Sequence, residues 1–319
     1  MNSQSREFRW WHEVLLALLL LAIVVLGGML LPRFFWSLTQ QLRLSRQIWE
    51  VALLSLGMTL IILTAGIDLS VGSMMALSAV TFGMVFRSTE SLWASGICCL
   101  AVGTSCGLLN GALIVRLKLH PLIVTLATFA AFRGVAEGIS QGASYSGFGE
   151  AFGQLSHNDY WGVSLAGWCF AGLVVLLTAM LAKTSWGRFL YAIGHNESAV
   201  RFSGGPVDGI KLVLYSASGL LSALAAIVLV SRTEAANAAV GSGFELEVIT
   251  AVVIGGTSIF GGRGTVVGTA LGVLLIHETR KFVELYLQAA EWTPILIGCL
   301  LIGSILVYRA CSQESRITE

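Results

Sequence analysis

The chain has 319 residues, of which only 12% are charged and 55% are hydrophobic, and its mean hydropathy is +0.81. Soluble domains carry about 25% charged residues, so this composition excludes a soluble domain and predicts an all-α polytopic membrane protein. The formal net charge is +1 and no basic cluster stands out, which excludes a nucleic-acid-binding surface.

Small residues are abundant, as expected for closely packed membrane helices. The chain has 36 glycines and only 4 prolines, and small residues let membrane helices approach closely. No CxxC pair occurs, and most cysteines lie inside apolar runs, so we expect small apolar core residues rather than metal ligands or disulfides. The cysteines are Cys98, Cys99, Cys106, Cys169, Cys299 and Cys311.

Apolar runs predict about ten transmembrane helices in one membrane domain that covers residues 1–319. The runs cover residues 14–31, 48–65, 71–86, 92–115, 121–140, 167–182, 212–230, 246–260, 265–279 or beyond, and 294–308. The first run leads into the aromatic segment Pro32-Arg33-Phe34-Phe35-Trp36 instead of a small-residue cleavage site. It is therefore predicted to be a spanning helix with an interfacial exit, not a signal peptide.

Lys and Arg in the loops predict the orientation. With the N-terminus in the cytoplasm, eleven fall on the cytoplasmic side and seven on the outer side, and a cytoplasmic excess is the usual pattern. We therefore expect both termini to be cytoplasmic. Arg280 and Lys281 fit this assignment least well, because they lie just past the ninth run.

A polar break separates the second and third apolar runs, where residues 65–73 read AGIDLSVGS. Gly66 and Gly72 let the backbone leave helical geometry, and a carboxylate at membrane depth usually faces a cavity or a partner. One interpretation is a broken helix at or near a transport path, with Asp68 at its centre. The other is a tight cytoplasmic turn in which Asp68 is a helix N-cap.

A second glycine pair echoes the first. Gly256 and Gly262 accompany the eighth run, 190 residues after Gly66 and Gly72. Transporters are often built from repeats with interrupted segments at matching positions, so the repeated glycine spacing predicts two loosely related halves. Coincidence in a glycine-rich chain is the alternative.

The longest polar interval, 183–211, contains a predicted short helix. Asn196 is a good N-cap, and Gly204-Gly205-Pro206 is a stop signal. A helix this short is not stable alone in water. It must therefore dock, either on a partner or on the membrane domain of its own chain.

Three segments together resemble permease subunits of bacterial ABC importers of monosaccharides, a group that includes ribose, arabinose, galactose, xylose, rhamnose and autoinducer-2 systems. Residues 187–204 resemble the GRxxxAxGxNxxAxxxSG signature, residues 65–73 the GIDLSVGS motif, and residues 243–264 the GxELxxIxAVVIGGTSxxGGxG block. The segments appear in order over roughly 14–308. Gly205 departs from the usual apolar residue, which could loosen the helix end.

The resemblance implies a single transmembrane permease domain in the bacterial inner membrane, with 183–211 as a cytoplasmic coupling loop. It implies as partners a cytoplasmic ATP-binding subunit, a periplasmic sugar-binding protein, and a second permease chain, identical or related. The coupling residues it implies are Gly187, Arg188, Gly194, Asn196, Glu197, Ala199, Arg201, Ser203 and Gly204. The sequence has no GxxxxGK[ST] motif, so this chain is not expected to be an enzyme or to hold a cofactor, and ATP is expected to bind the partner.

Polar residues in or next to the spans are candidates for the substrate path. These are Thr64, Asp68, Ser70, Ser73, Asn110, Thr125 and Thr257. Each alone is also compatible with an ordinary hydrogen bond between helices. Arg133 and Glu137 are four residues apart, which predicts an ion pair within one helix.

Three alternatives remain open at this point. A branched-chain amino acid permease shares the general plan, but its site must meet a zwitterion, and Arg133 is the only clear cation in the spans. An ion-coupled secondary transporter would use Asp68 as a cation ligand. A membrane enzyme is the third alternative, although the sequence shows no HExxH metal motif and no convincing nucleophile–base set.

Overall fold

The computed structural model describes residues 3–157, 159–288, 291–300 and 302–303, and almost all of its regular structure is helical. The long helices are α1 (Ser3–Leu30), α4 (Trp49–Leu63), α5 (Val71–Thr89), α6 (Leu92–Leu117), α7 (Pro121–Ser140), α9 (Leu165–Lys183), α10 (Ser185–Phe202), α11 (Val207–Thr233), α12 (Phe244–Ile254) and α13 (Val266–Leu287). The short ones are α2 (Pro32–Phe35), α3 (Leu38–Ser45) and α8 (Glu150–His157), and residues 292–300 are also helical.

Two short antiparallel strand pairs complete the described fold. They are β1 (Tyr145–Ser146) with β4 (Ala235–Ala236), and β2 (Asp159–Tyr160) with β3 (Val163–Ser164). The first pair joins the loop after α7 to the loop after α11. The second forms a tight hairpin just before α9.

Within the described residues, 6 helices are long and apolar enough to cross a membrane, or up to 7 if α3 and α4, bent by 58°, form one span. This confirms the all-α polytopic fold. The predicted eighth span, 246–260, is different: α12 has 11 residues, about 16 Å of helix, which is half of a 30 Å hydrocarbon core. Of the predicted tenth span, residues 301 and 304–308 lie outside the described residues.

Helices α4 and α5 form the centre of the bundle. Residues from Glu50 to Leu63 are all buried, as are the first ten residues of α5. Helix α11 packs against both. Most of the break between α4 and α5 is therefore enclosed by the protein, although Ala65 is exposed.

Glycines allow two helix pairs to pack backbone to backbone. A Cβ at Gly103, Gly107 or Gly219 would overlap the facing backbone of the α6–α11 pair, and Gly255, Gly268 and Gly272 play the same part between α12 and α13. Cys99 and Cys106 are buried in α6, as predicted, whereas Cys169 and Cys299 are exposed. Cys311 lies outside the described residues.

Charged residues at one end of the bundle are paired across helices. Arg232 Nε donates to the fully buried Glu50 at 2.7 Å, which ties α11 to α4. Arg280 contacts Glu284 and, at 3.5 Å, Glu247 of α12. Lys281 is 5% exposed and donates to Gln41. Arg280 and Lys281 thus lie within α13 and pair with neighbouring side chains, whereas the sequence placed them just past the ninth run.

Candidate functional site

Helix α4 ends in a Schellman motif. The N–H of Ala65 donates to Ile62 at 2.9 Å, and the N–H of Gly66 donates to Ile61 at 3.1 Å. Ala65 has a φ of 60°, in the left-handed region that usually favours glycine. Gly66 is tightly enclosed, because a Cβ there would lie 2.8 Å from the hydroxyl of Tyr215. The chain then crosses residues 64–70 without helical structure before α5 begins.

Asp68 organises this break. Its side chain is 0% exposed, and its Oδ1 accepts hydrogen bonds from the backbone N–H of Ser70 at 2.9 Å and from the Ser70 hydroxyl at 2.6 Å. Its Oδ2 accepts from Ser218 of α11 at 3.4 Å. Ser70 is the residue that precedes α5, but its side chain makes no capping hydrogen bond. The Asp68 carboxylate accepts the backbone N–H two residues on, as in an Asx turn at the start of a helix, so Asp68 both shapes the break and provides the cap-like hydrogen bond of the alternative interpretation.

Three further candidate residues join the same network. Asn110 of α6 donates to the Ser70 hydroxyl at 2.8 Å, and Thr125 of α7 donates to the carbonyl of Ile67 at 3.1 Å. Ser73 donates to the carbonyl of Ser70 at 2.9 Å. Side chains from α6, α7 and α11 therefore fix the break from three sides.

The remaining two candidates lie at helix ends. Thr64 is the C-cap of α4, and its hydroxyl donates to Ile61 at 2.8 Å. Thr257 follows α12 and is 1% exposed. Its hydroxyl has no hydrogen-bond partner among the described residues, as is also true of the Tyr215 hydroxyl and the Asn110 Oδ1.

Helix α12 ends in the same way as α4. Gly256 has a φ of 85° and donates to Val253 at 2.9 Å, and Thr257 donates to Val252 at 3.2 Å. Gly256 and Thr257 therefore correspond to Ala65 and Gly66. Corresponding residues of the two breaks are thus separated by one residue more than the 190 residues that separate the two glycine pairs. The repeated helix ending supports the prediction of two related halves.

Helix α10 (Ser185–Phe202) makes up most of the polar interval 183–211, and α11 begins within its last residues at Val207. It is kinked at Asn196, which has a φ of −160° and accepts a hydrogen bond from the Ala199 N–H at 2.9 Å. The prediction that Asn196 caps a short helix is confirmed, although helical residues also precede it. Gly204 has a φ of 79°, and Gly205 donates to Val200 at 2.9 Å, so the unusual Gly205 does not loosen the helix end.

An ion-pair cluster holds the second half of α10 against the start of α11. Glu197 accepts from Arg201 at 3.0 Å and from Lys211 at 2.6 Å, and Arg201 also contacts Asp208 at 2.6 Å. Burial alone would raise the pKa of Glu197, but the hydrogen bonds from Lys211 and Arg201 outweigh it and hold that pKa below its ordinary value. Glu197 is therefore charged at neutral pH and bound within its own chain.

The other predicted coupling residues divide into packed and exposed positions. Gly187 is buried against Leu181 at the end of α9. Ser203 donates to Val200 at 2.8 Å, while Arg188 and Ala199 are exposed. Phe202, which the sequence reasoning did not single out, is 93% exposed.

The three sequence motifs meet at one point. The N–H of Gly262, after α12, donates to the carbonyl of Leu63 at the end of α4 at 3.0 Å. Gly194 of α10 lies against both of these groups. Tyr191 of α10 donates to the carbonyl of Gly264 at 2.9 Å. We call this contact of Leu63, Gly194 and Gly262 the glycine junction.

Arg133 has different partners from those predicted. Its guanidinium donates to the carbonyls of Ala238 and, at 2.8 Å, Val240 in the loop after β4. It therefore joins α7 to that loop instead of pairing with Glu137. Among the described residues, no group of three or more His, Cys, Asp or Glu is placed to hold a metal ion.

Comparison with known proteins identifies the family. The sequence model described as "Branched-chain amino acid transport system / permease component" matches residues 41–305. The ribose import permease of Bacillus subtilis (strain 168) is 39% identical over 91% of this chain and 90% of its own. The fructose import permease of Rhizobium meliloti is 37% identical over 92% and 83%, and the autoinducer 2 import permease of Photorhabdus laumondii 33% over 94% and 91%. The chain therefore belongs to this family of membrane permeases, which are subunits of bacterial ABC importers.

Proposed function

We propose that this chain is the inner-membrane permease of an ATP-driven importer for a monosaccharide or for the sugar-like signal autoinducer-2. The observation that carries the proposal is the similarity, over about nine tenths of the chain, to permeases named for ribose, fructose and autoinducer 2. The broader family description mentions branched-chain amino acids. A zwitterion would need a cation in the spans. The Nη1 of Arg133 donates to backbone carbonyls, whereas its Nη2 is buried without a hydrogen-bond partner among the described residues, so the preference for sugars rests on the named relatives and not on Arg133.

The partners follow from this role. A cytoplasmic ATP-binding subunit supplies the energy, a periplasmic sugar-binding protein delivers the substrate, and a second permease chain, identical or related, completes the membrane unit. No cofactor is required in this chain, because ATP binds the partner subunit.

The exposed side of α10 is the proposed seat for the ATP-binding subunit. Phe202 is almost fully exposed within a polar segment, and a protruding aromatic side chain is a typical anchor at a protein interface. Arg188 is exposed on the same helix. The ion pairs of Glu197 with Arg201 and with Lys211 of α11 hold α10 against α11 at the surface of the chain.

The Asp68 network is the proposed inner support of the substrate path. All seven candidate residues are buried in this conformation, so a sugar reaches any of them only after the helices move apart. Both oxygens of Asp68 accept hydrogen bonds from serine side chains. This arrangement supports a hinge-holding role for Asp68 over the cation-ligand role that an ion-coupled transporter would need.

Reconstitution tests the proposal. Proteoliposomes that contain this chain, the ATP-binding subunit and the binding protein should accumulate at least one labelled sugar from a panel of pentoses, hexoses and autoinducer-2. They should not accumulate leucine, isoleucine or valine. Accumulation of a branched-chain amino acid, with no uptake from the sugar panel, would contradict the proposed substrate class.

A further inference from the structure

We infer that Gly194 is a positioning residue that transmits the movement of α10 to both helix breaks at once, an inference that rests on the proposed function. The glycine junction places three backbones in direct contact: the end of α4 at Leu63, α10 at Gly194, and the turn after α12 at Gly262. The force received by α10 therefore has a short rigid route into each half of the bundle.

The space at Gly194 is what makes this route rigid. A Cβ built on Gly194 would overlap both the carbonyl oxygen of Leu63 and the amide nitrogen of Gly262. These two atoms form the 3.0 Å hydrogen bond that joins the two breaks. A single methyl group at residue 194 would therefore push α10 away and open the link between the breaks.

Neighbouring contacts show that α10 is seated over several residues. A Cβ on Gly261 would lie 2.8 Å from the Ala65 nitrogen and 3.0 Å from the Gly194 Cα, and one on Gly262 would meet the ring of His195. The Tyr191 hydroxyl donates to Gly264 one helical turn before Gly194. Backbone contacts of this kind have no flexible side chain to absorb a displacement, so a shift of α10 must move the two helix ends.

The consequence is specific to coupling. Phe202 and Arg188, on the exposed side of α10, are not part of the junction, so Gly194→Ala changes no side chain of the proposed surface for the ATP-binding subunit. Loss of the junction should therefore separate ATP hydrolysis from uptake instead of abolishing both.

The experiment compares Gly194→Ala with Gly172→Ala in the reconstituted complex of full-length chain, ATP-binding subunit and binding protein. Gly172 lies in α9 and a Cβ there meets no atom within 4 Å, so this variant is the matched control. We expect Gly194→Ala to form the complex and the sugar taken up per ATP hydrolysed to fall at least about fivefold, the lower end of typical coupling between sites. This ratio, and not the hydrolysis rate itself, is the readout. Gly172→Ala should match the wild type in complex formation and in this ratio.

Two results would overturn the inference. The first is an unchanged uptake per ATP in a Gly194→Ala complex that assembles, which includes an equal fold loss of hydrolysis and uptake; the second is a Gly172→Ala control whose uptake per ATP falls as much as that of Gly194→Ala. If Gly194→Ala does not fold, Tyr191→Phe decides, because it removes only one hydroxyl: reduced uptake per ATP supports the inference and an unchanged ratio refutes it. A wild-type complex without ATP-driven uptake would instead refute the proposed function.

Discussion

Replacement of Asp68 tests how the break between α4 and α5 is held. In Asp68→Ala the N–H and the hydroxyl of Ser70 both lose their acceptor, at a site where neither side chain is exposed. An unsatisfied buried donor costs about 1–3 kcal/mol. The two donors share one residue and do not add fully, so the free energy of unfolding should fall by about 2–5 kcal/mol.

Asp68→Asn separates hydrogen bonding from charge. The amide keeps an oxygen that can accept both bonds from Ser70, and its NH₂ group faces Ser218, whose hydroxyl can accept as well as donate. The expected loss is less than about 1.5 kcal/mol, the usual net value of one hydrogen bond. Asp208→Ala is the control, since Asp208 is exposed and its ion pair with Arg201 is worth about 0–1 kcal/mol.

The assay is reversible unfolding by SDS in mixed micelles, followed by circular dichroism. The reasoning is refuted if Asp68→Ala unfolds like the wild type. If Asp68→Asn is as unstable as Asp68→Ala, the charge of Asp68 matters more than its role as an acceptor, and the account of the break is wrong.

Two further predictions concern charged groups. Arg232→Ala leaves the buried Glu50 without its partner and should lower the free energy of unfolding by about 3–5 kcal/mol in the same assay. The double variant Glu50→Leu, Arg232→Met should recover most of this loss, because no buried charge remains. An Arg232→Ala variant as stable as the wild type would contradict this prediction. Because its hydrogen bonds to Lys211 and Arg201 hold the pKa of Glu197 below its ordinary value, its ion pairs stabilise the end of α10 fully above the pKa of the unfolded chain, and this stabilisation is lost as the pH falls through the lower folded pKa. Hydrogen-exchange protection of residues 196–205, corrected for intrinsic rates, should stay constant from neutral pH down to the ordinary range of a glutamate pKa and decline below it, and Glu197→Gln should remove the decline. A decline that begins near neutral pH would show that another group controls this segment.

Helix ends were predictable where a local residue determines them. Helix α7 begins at Pro121 as predicted, because proline is favoured in the first turn, and it ends at Ser140 before a left-handed Gln141. Asn196 was recognisable as an N-cap for the same local reason. Such signals depend on a few neighbouring residues and need no knowledge of the fold.

The early end of α12 was not predictable from hydropathy. The predicted span continued through Gly255-Gly256-Thr257-Ser258, which follows Ile254 directly. This segment is a turn signal, but its hydropathy alone does not end an apolar run. The backbone stops it there with a Schellman motif at Gly256, and a glycine in an apolar run is equally compatible with close packing between helices. At the first break the residue in the left-handed conformation is Ala65 and not a glycine. The residue type at that position therefore did not indicate where α4 ends.

The partners within the site were beyond sequence reasoning. Asp68, Ser70 and Asn110 were candidates because polar residues in spans are few, but Ser218 and Tyr215 of α11 were not singled out. The contact between Gly194 and Leu63 joins segments about 130 residues apart along the chain. No local pattern indicates that the three motifs meet, although their order along the chain indicates the family.

The central claim is that ATP hydrolysis by a partner, acting on α10, drives sugar through this chain. The most direct measurement is uptake of the identified sugar by the reconstituted complex with two different energy sources. In one sample ATP is enclosed on the side of the membrane that carries the ATP-binding subunit; in the other a proton or sodium gradient is applied without ATP. The account predicts uptake with ATP alone and none with a gradient alone. Gradient-driven uptake by this chain without the ATP-binding subunit would contradict it.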